Sequence, residues 1–369
     1  MKNINRLLIL VLTMSSIPLV CAQEEPNASI QAQQPQTQQQ QQQPPQGSNQ
    51  SRRERIIQLI KMRRQGQNGG GLWKQPQGQG ASADANFLDP DGMQEAASIG
   101  NSRATARDIA YGPDPLQKLD VYAPPKGTAK GPVILFAHGG GWKRGDKRQH
   151  GPKGAAYSSN GIVFISTNYR LAPNAMHPKE IEDIASAFAW VKAHAKDYGG
   201  DPNQIYVMGH SAGAHLVDLL ATNEKFLAEK GLKLTDIKGC ISLDTASLDL
   251  TERGALPGVA SKMVAEMVTN AFGKDPKVLT EASPLLQLHK GKTYPRFLMI
   301  CSANRRDSSA AHKAFDEAIH EVGGSVSTIV VPLNHGQISQ AAGNEKTDVF
   351  AACLAFVQGK PVADSGALQ

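Results

Sequence analysis

Residues 204–208, Gln-Ile-Tyr-Val-Met, are mostly apolar and β-forming. They run directly into Gly209-His210-Ser211-Ala212-Gly213, and the stretch 214–220 then has the spacing of an amphipathic helix. GxSxG between strand and helix patterns predicts a sharp strand–turn–helix, with the serine backbone strained and its hydroxyl lifted clear of the sheet. Glycine is needed at both ends because side chains there would collide with the neighbouring strand and helix. The pentapeptide alone is short enough to occur by chance. Its flanks are what make Ser211 a candidate nucleophile and what call for a sheet with helices packed on it.

The surrounding sequence repeats that alternation. Residues 118–122 alternate as a half-buried strand does. Residues 131–137 and 161–166 are continuous apolar runs, as in strands covered on both faces. Further strands are expected at 238–243, 296–301 and 325–331, with helical spacing at 181–196, 310–322 and 345–358. Strands alternating with helices predict an α/β domain with a mostly parallel central sheet flanked by helices. The stretch 245–290 separates two expected strands and holds an expected helix at 261–272, where a lid or substrate wall would lie.

The N-terminal quarter has a different character. Lys2 and Arg6 precede an apolar stretch from Leu7 to Val20, and Val20-Cys21-Ala22 offers small residues for a cut after Ala22. Residues 1–22 are therefore expected to be a signal peptide. Cys21 lacks the small residues expected before a lipidated cysteine. Residues 23–85 form a Gln/Pro/Gly-rich tail expected to be disordered. Within it, residues 51–64 have the pattern of a short basic helix, read as a transient linker helix with weak surface attachment as the alternative. The catalytic domain is expected over 86–369. Most of the net charge of +6 falls before residue 86, so the rest is near neutral and gives no reason to expect a nucleic-acid partner. The cysteines after the signal, Cys240, Cys301 and Cys353, lie in apolar runs and read as small core residues; no spacing suggests a metal.

A serine hydroxyl needs a base to remove its proton, and a histidine base needs an acid to fix its tautomer and stabilise its charged form. At a strand–turn–helix nucleophile the chain order is serine, acid, histidine. His335, in the turn-rich segment Leu333-Asn334-His335-Gly336 after an expected strand, is the candidate base. His289, His312 and His320 are poorer placed. Asp307, in the loop after the strand ending at Cys301, is the expected acid; Asp244 and Asp249, one strand earlier, are its rivals. Oxyanion donors are expected from the backbone of Ala212 and from Gly140 and Gly141 in His138-Gly-Gly-Gly-Trp142, which follows the strand 131–137. His138 and His210 are read as braces rather than bases.

From about 104 to 357 these motifs together resemble α/β-hydrolase fold serine esterases of the hormone-sensitive-lipase and carboxylesterase type. The nearest likeness is to the bacterial branch of bifunctional acetylxylan/feruloyl esterases. The resemblance is carried by Lys118-Leu-Asp-Val-Tyr-Ala-Pro124, His138-Gly-Gly-Gly-Trp142, Gly145-Asp146-Lys147, Asn168-Tyr-Arg-Leu-Ala-Pro173, Asp201-Pro202, GHSAG with His215-Leu216, Ser283-Pro284-Leu285, Asp307 and His335. It implies Ser211, Asp307 and His335 as the triad, and Gly140, Gly141 and Ala212 as oxyanion donors. Two positions depart from the family pattern. Ala214 stands where a second glycine is common, and Arg305-Arg306 bring positive charge just before Asp307.

The expectation is an exported, secreted or periplasmic serine hydrolase that cleaves carboxylic esters, of short-acyl or feruloyl/acetyl type, without cofactor or metal. Its partner would be a small ester or an esterified polysaccharide. Amide hydrolysis of the arylformamidase or peptidase kind would use the same residues, and a silent binding protein of the same fold is the alternative from outside catalysis.

Overall fold

The computed structural model describes residues 104–128, 130–252 and 259–362, with no side-chain description at 259–261. The expected signal peptide, the tail with its basic segment 51–64, and residues 86–103 of the expected catalytic domain lie outside the described residues. The strands are β1 (Ala106–Ala110), β2 (Lys118–Tyr122), β3 (Gly131–Ala137), β4 (Val163–Thr167), β5 (Gly200–His210), β6 (Gly239–Leu243), β7 (Arg296–Ser302) and β8 (Val326–Val331). They form one sheet in the order β1-β2-β4-β3-β5-β6-β7-β8. β1 and β2 join antiparallel at one edge, and every pairing from β4 to β8 is parallel.

The central strands are apolar throughout because both their faces are covered. In β3, Val133 and Leu135 face a layer that includes Ile184, Phe188, Leu216 and Phe315. Ile134 and Phe136 face the other layer, with Tyr157, Ile338, Phe350 and Phe356. The first layer is supplied by α2 (Lys179–His194), α3 (Ala212–Thr222) and α7 (Arg306–Glu321). The second comes from α1 (Gly151–Ser159), α8 (His335–Ala341) and α9 (Asp348–Val357). Three further helices, α4 (Glu224–Ala228), α5 (Val259–Phe272) and α6 (Pro276–Glu281), fill connections, the last two in the stretch between β6 and β7. Cys240, Cys301 and Cys353 are buried and unbonded to one another, in β6, β7 and α9.

Parallel strands all end on the same side of the sheet. The C-terminal ends of β3, β5, β6, β7 and β8 therefore deliver His138, Ser211, Asp244, Arg305 and His335 to one rim. Ligands of open α/β sheets bind at such a rim.

Candidate active site

Ser211 is the one residue between β5 and α3. Its backbone is at φ 56, ψ −119, a region that L residues occupy only under strain. The turn is held by Ser211 N–H donating to Leu243 O at 2.9 Å and His215 N–H donating to Ser211 O at 3.1 Å. The glycines are dictated by space. A Cβ on Gly209 would stand 2.3 Å from Gly213 O, and one on Gly213 would stand 2.2 Å from Ala137 O. Strand, turn and helix are thus packed backbone to backbone.

The loop after β3 closes over the serine. Gly140 and Gly141 have φ of 116° and 62°, and Trp142 shares the left-handed region at 59°. The Gly140 carbonyl turns back to accept Lys143 and Arg144 N–H at 3.2 Å. His138 braces the loop: its ring stacks on Tyr169 with centroids 4.5 Å apart and its Nδ1 meets Gly139 O at 2.8 Å. Tyr169 Oη donates to His138 O at 3.0 Å. Trp142 Nε1 donates to His215 Nδ1 at 3.3 Å, while His215 Nε2 donates to Ala282 O at 2.8 Å. Those two bonds fix His215 as a neutral ring, and burial lowers its pKa to about 3.

His335 begins α8 rather than lying in an open loop, because Asn334 caps the helix by accepting Gln337 N–H. Its Nδ1 is 2.7 Å from Asp244 Oδ2. Its ring packs on His210 at 4.4 Å between centroids, and its carbonyl accepts from His210 Nε2 at 3.0 Å. His210 is buried. Burial, and then the neighbouring His335, push its pKa well down.

The acid beside His335 is Asp244 at the end of β6, which corrects the expectation for Asp307. Asp244 also sits at positive φ, 51°, with its N–H donating to Ile300 O at 2.8 Å. Its carboxylate is saturated with donors. Oδ1 accepts Ser302 N–H at 3.0 Å and Ser308 Oγ–H at 2.5 Å; Oδ2 accepts His335 Nδ1–H and Arg305 Nη1–H, each at 2.7 Å. Burial pushes this carboxyl up. The His335 hydrogen bond, the Arg305 charge and the Ser308 hydroxyl outweigh it and hold the carboxyl well below the usual range. Asp307 lies in the first turn of α7. Its Oδ1 accepts Ser308 N–H at 2.8 Å and its Oδ2 faces Arg305 Nη2 at 3.4 Å. The loop after β7 thus presents a guanidinium where a carboxylate was expected.

One cavity of about 40 Å³ is lined by Gly141, Trp142, Ser211, Ala212, Asp244 and His335, among others. Thr245, Ala246 and Ser247 form one wall, Arg305 another, and Val264 and Met267 of α5 a third. Met267 Sδ lies 2.7 Å from where a Gly141 side chain would begin, so α5 rests on the glycine loop. The stretch between β6 and β7 therefore acts as a wall of the site, as its position suggested. Ser211, Gly141, Ala212 and His335 come together here as expected and Gly140 adjoins them in the loop, whereas Asp307 is separated from the cavity by Arg305.

A family model described as BD-FAE matches residues 119–304, half of the chain. Esterase LipC of Mycobacterium tuberculosis is 31% identical over 205 residues, 53% of this chain and 49% of that protein. Esterase LipQ of the same organism is 29% identical over 248 residues, 65% of this chain and 58% of that protein. The chain spans about half the length of these curated relatives. Among solved structures, Esterase B from Lactobacillus Rhamnosis superposes with a TM-score of 0.61 at 18% identity, covering 84% of this chain and 95% of that one. A bifunctional GH43-CE of Bacteroides eggerthii gives 0.56 at 22% identity, over 69% of this chain and 35% of that one. The structural likeness carries the fold, the mostly parallel sheet of the α/β-hydrolases, and the sequence match adds the family. The chain belongs to the BD-FAE family.

Proposed function

We propose that the protein is an exported serine hydrolase that cleaves short-acyl carboxylic esters through an acyl-enzyme. The observation that carries this reading is the 2.7 Å bond between His335 Nδ1 and Asp244 Oδ2 in the cavity that Ser211 also lines. With Nδ1–H committed to Asp244, Nε2 is left as the acceptor for the Ser211 proton. Ser211 Oγ attacks the ester carbonyl as its proton passes to Nε2. The oxyanion is held by the backbone N–H groups of Gly140, Gly141 and Ala212. Imidazolium Nε2–H then protonates the leaving alkoxide, the C–O bond breaks, and the acyl group stays on Ser211. Water, deprotonated by Nε2, attacks the acyl carbonyl and Ser211 leaves with its proton restored. Other imidazoles near the site are poor bases. His138 and His312 are both lowered by burial, His312 to about 4, and His210 and His215 are held neutral as described.

Val264 and Met267 of α5 close the cavity beside Gly141, which favours a short acyl group over a feruloyl one. The relatives named as esterases, and a neighbour named GH43-CE, favour ester over amide and are compatible with an esterified polysaccharide on the alcohol side. Export rests on the signal-like character of residues 1–22.

Hydrolysis of p-nitrophenyl acetate, butyrate and octanoate, with Ser211→Ala alongside, tests this reading. Acetate should be the best substrate, and Ser211→Ala should lose nearly all activity. Equal rates in the two proteins would sink it.

A further inference from the structure

We infer that Arg305 is a positioning residue of the triad, the strut that holds the Asp244 carboxylate against His335. The inference rests on the reading of Ser211, His335 and Asp244 as that triad. Arg305 Nη1 lies 2.7 Å from Asp244 Oδ2, 3.1 Å from Asp244 O and 2.8 Å from His335 Nδ1. Its Nη2 reaches Asp307 Oδ2 at 3.4 Å. The side chain is 13% exposed and the Asp244 side chain wholly buried. Burial works against the guanidinium's charge, and the Asp244 and Asp307 carboxylates outweigh it, so the cation stays charged.

Nη1 and Nδ1 are both donors in the productive tautomer, so they share Oδ2 rather than bond to each other. This sharing fixes where Oδ2 sits, and with it the ring plane of His335. Ser302 and Ser308 hold only the other oxygen, Oδ1. Without Arg305 the carboxylate keeps its hinge and loses one of the two groups that set its rotation. A planar guanidinium suits the task because one nitrogen brackets the carboxylate and backbone of Asp244 while the other reaches Asp307. A lysine ammonium offers a single point. Asp307 in this arrangement is the counter-ion that anchors the strut. The strand ends have exchanged roles: β6 supplies the acid, and the loop after β7 supplies the cation that aims it.

The test uses the full chain, with Arg305→Ala, Arg305→Lys and Ser211→Ala, on p-nitrophenyl acetate. Arg305→Ala should lower kcat by about 10²-fold, the cost of a small misplacement in a catalytic constellation. KM should move by less than about threefold, because substrate binding is not what the strut serves. Methylguanidinium added at tens of millimolar should restore part of the lost kcat, and methylammonium should not. Arg305→Lys keeps the charge and the fold and should still lose about tenfold in kcat, because it lacks the fork. An Arg305→Lys protein with wild-type kcat overturns the proposal. So does an Arg305→Ala protein of normal melting temperature with wild-type kcat, or one whose loss methylammonium repairs as well as methylguanidinium. A wild-type chain that hydrolyses no ester, indistinguishable from Ser211→Ala, removes the triad reading and the strut with it. Activity that is present in wild type, lost in Ser211→Ala and untouched at Arg305 removes the strut alone.

Discussion

The carboxylate of Asp244 and the imidazole of His335 meet at 2.7 Å although they lie 91 positions apart in the chain, because the parallel strands β6 and β8 end on the same rim of one sheet. Asp244 is buried, charged and saturated with donors, while His335 keeps 17% of its side chain exposed at the cavity. A buried carboxylate behind a partly exposed imidazole is the polarity that proton transfer to and from a serine requires.

The strain at Ser211 predicts a split between activity and stability. Glycine occupies φ 56, ψ −119 far more readily than alanine. Ser211→Gly and Ser211→Ala should both be inactive, with the glycine variant the more stable by about 1 kcal/mol. In a domain of this size that is roughly 2–4 °C in melting temperature. Calorimetry of the two variants checks it, and an alanine variant that melts higher would mean the turn is unstrained.

Met267 should govern acyl length. Its sulfur rests on Gly141 and closes the cavity from the α5 side. Met267→Ala should raise the butyrate-to-acetate ratio of kcat/KM by about tenfold, the lower end of what a methylene is worth in an apolar pocket. An unchanged ratio would place the acyl group elsewhere.

Beneath the elbow, Asp218 of α3 predicts a pH dependence. Ser242 Oγ–H donates to its Oδ2 at 2.7 Å and Cys240 Sγ lies 3.3 Å from Oδ1, all of them buried. Burial raises this carboxyl to about 7, against the two hydrogen bonds. A carboxyl whose folded pKa lies above its unfolded value stabilises the fold fully below the unfolded pKa, and that contribution is lost as pH rises through the folded pKa. Asp218→Asn, a mimic of the protonated form, should therefore gain on wild type between about pH 4 and 7, reaching a few °C in melting temperature at pH 8. Melting curves at pH 4 and 8 test this; a gap that narrows with rising pH contradicts it.

Asp244 predicts the opposite slope. Its folded pKa is held well below the usual range, so its contribution is present above the unfolded pKa, about 3.9. That contribution is lost as pH falls toward the folded pKa. Asp244→Asn should cost stability at pH 7, and its deficit should shrink as the pH is lowered below about 4. A deficit that is constant or grows in acid would show that Asp244 is not charged in the fold.

Much of this site was legible in the chain. The apolar runs of β3 and β4 read as strands covered on both faces, and the strand and helix flanking GHSAG located Ser211. The glycines at 140 and 141 and the histidine after β8 followed from what an exposed serine needs. The acid was not decidable by spacing, since β6 and the loop after β7 both end near aspartates and both reach the same rim. Which carboxylate faces His335 depends on side-chain direction at the strand ends. Asp244 turns inward through a positive φ, and Asp307 is carried into the first turn of α7. Arg305-Arg306 was the available clue, because a guanidinium at that place seeks a carboxylate partner. β1 leaves little trace in the sequence because it is short and largely exposed on its own edge. His335 stands in a helix rather than in the expected loop because Asn334 and Gln337 cap each other's backbone N–H and start α8.

The most direct test compares Asp244→Asn and Asp307→Asn on p-nitrophenyl acetate under identical conditions. Asp244→Asn should lower kcat by about 10⁴-fold, as loss of a triad acid's charge and tautomer control does. Asp307→Asn, which only loosens the anchor of Arg305, should stay within about tenfold of wild type. The reverse order, with Asp307→Asn crippled and Asp244→Asn nearly normal, would contradict the account.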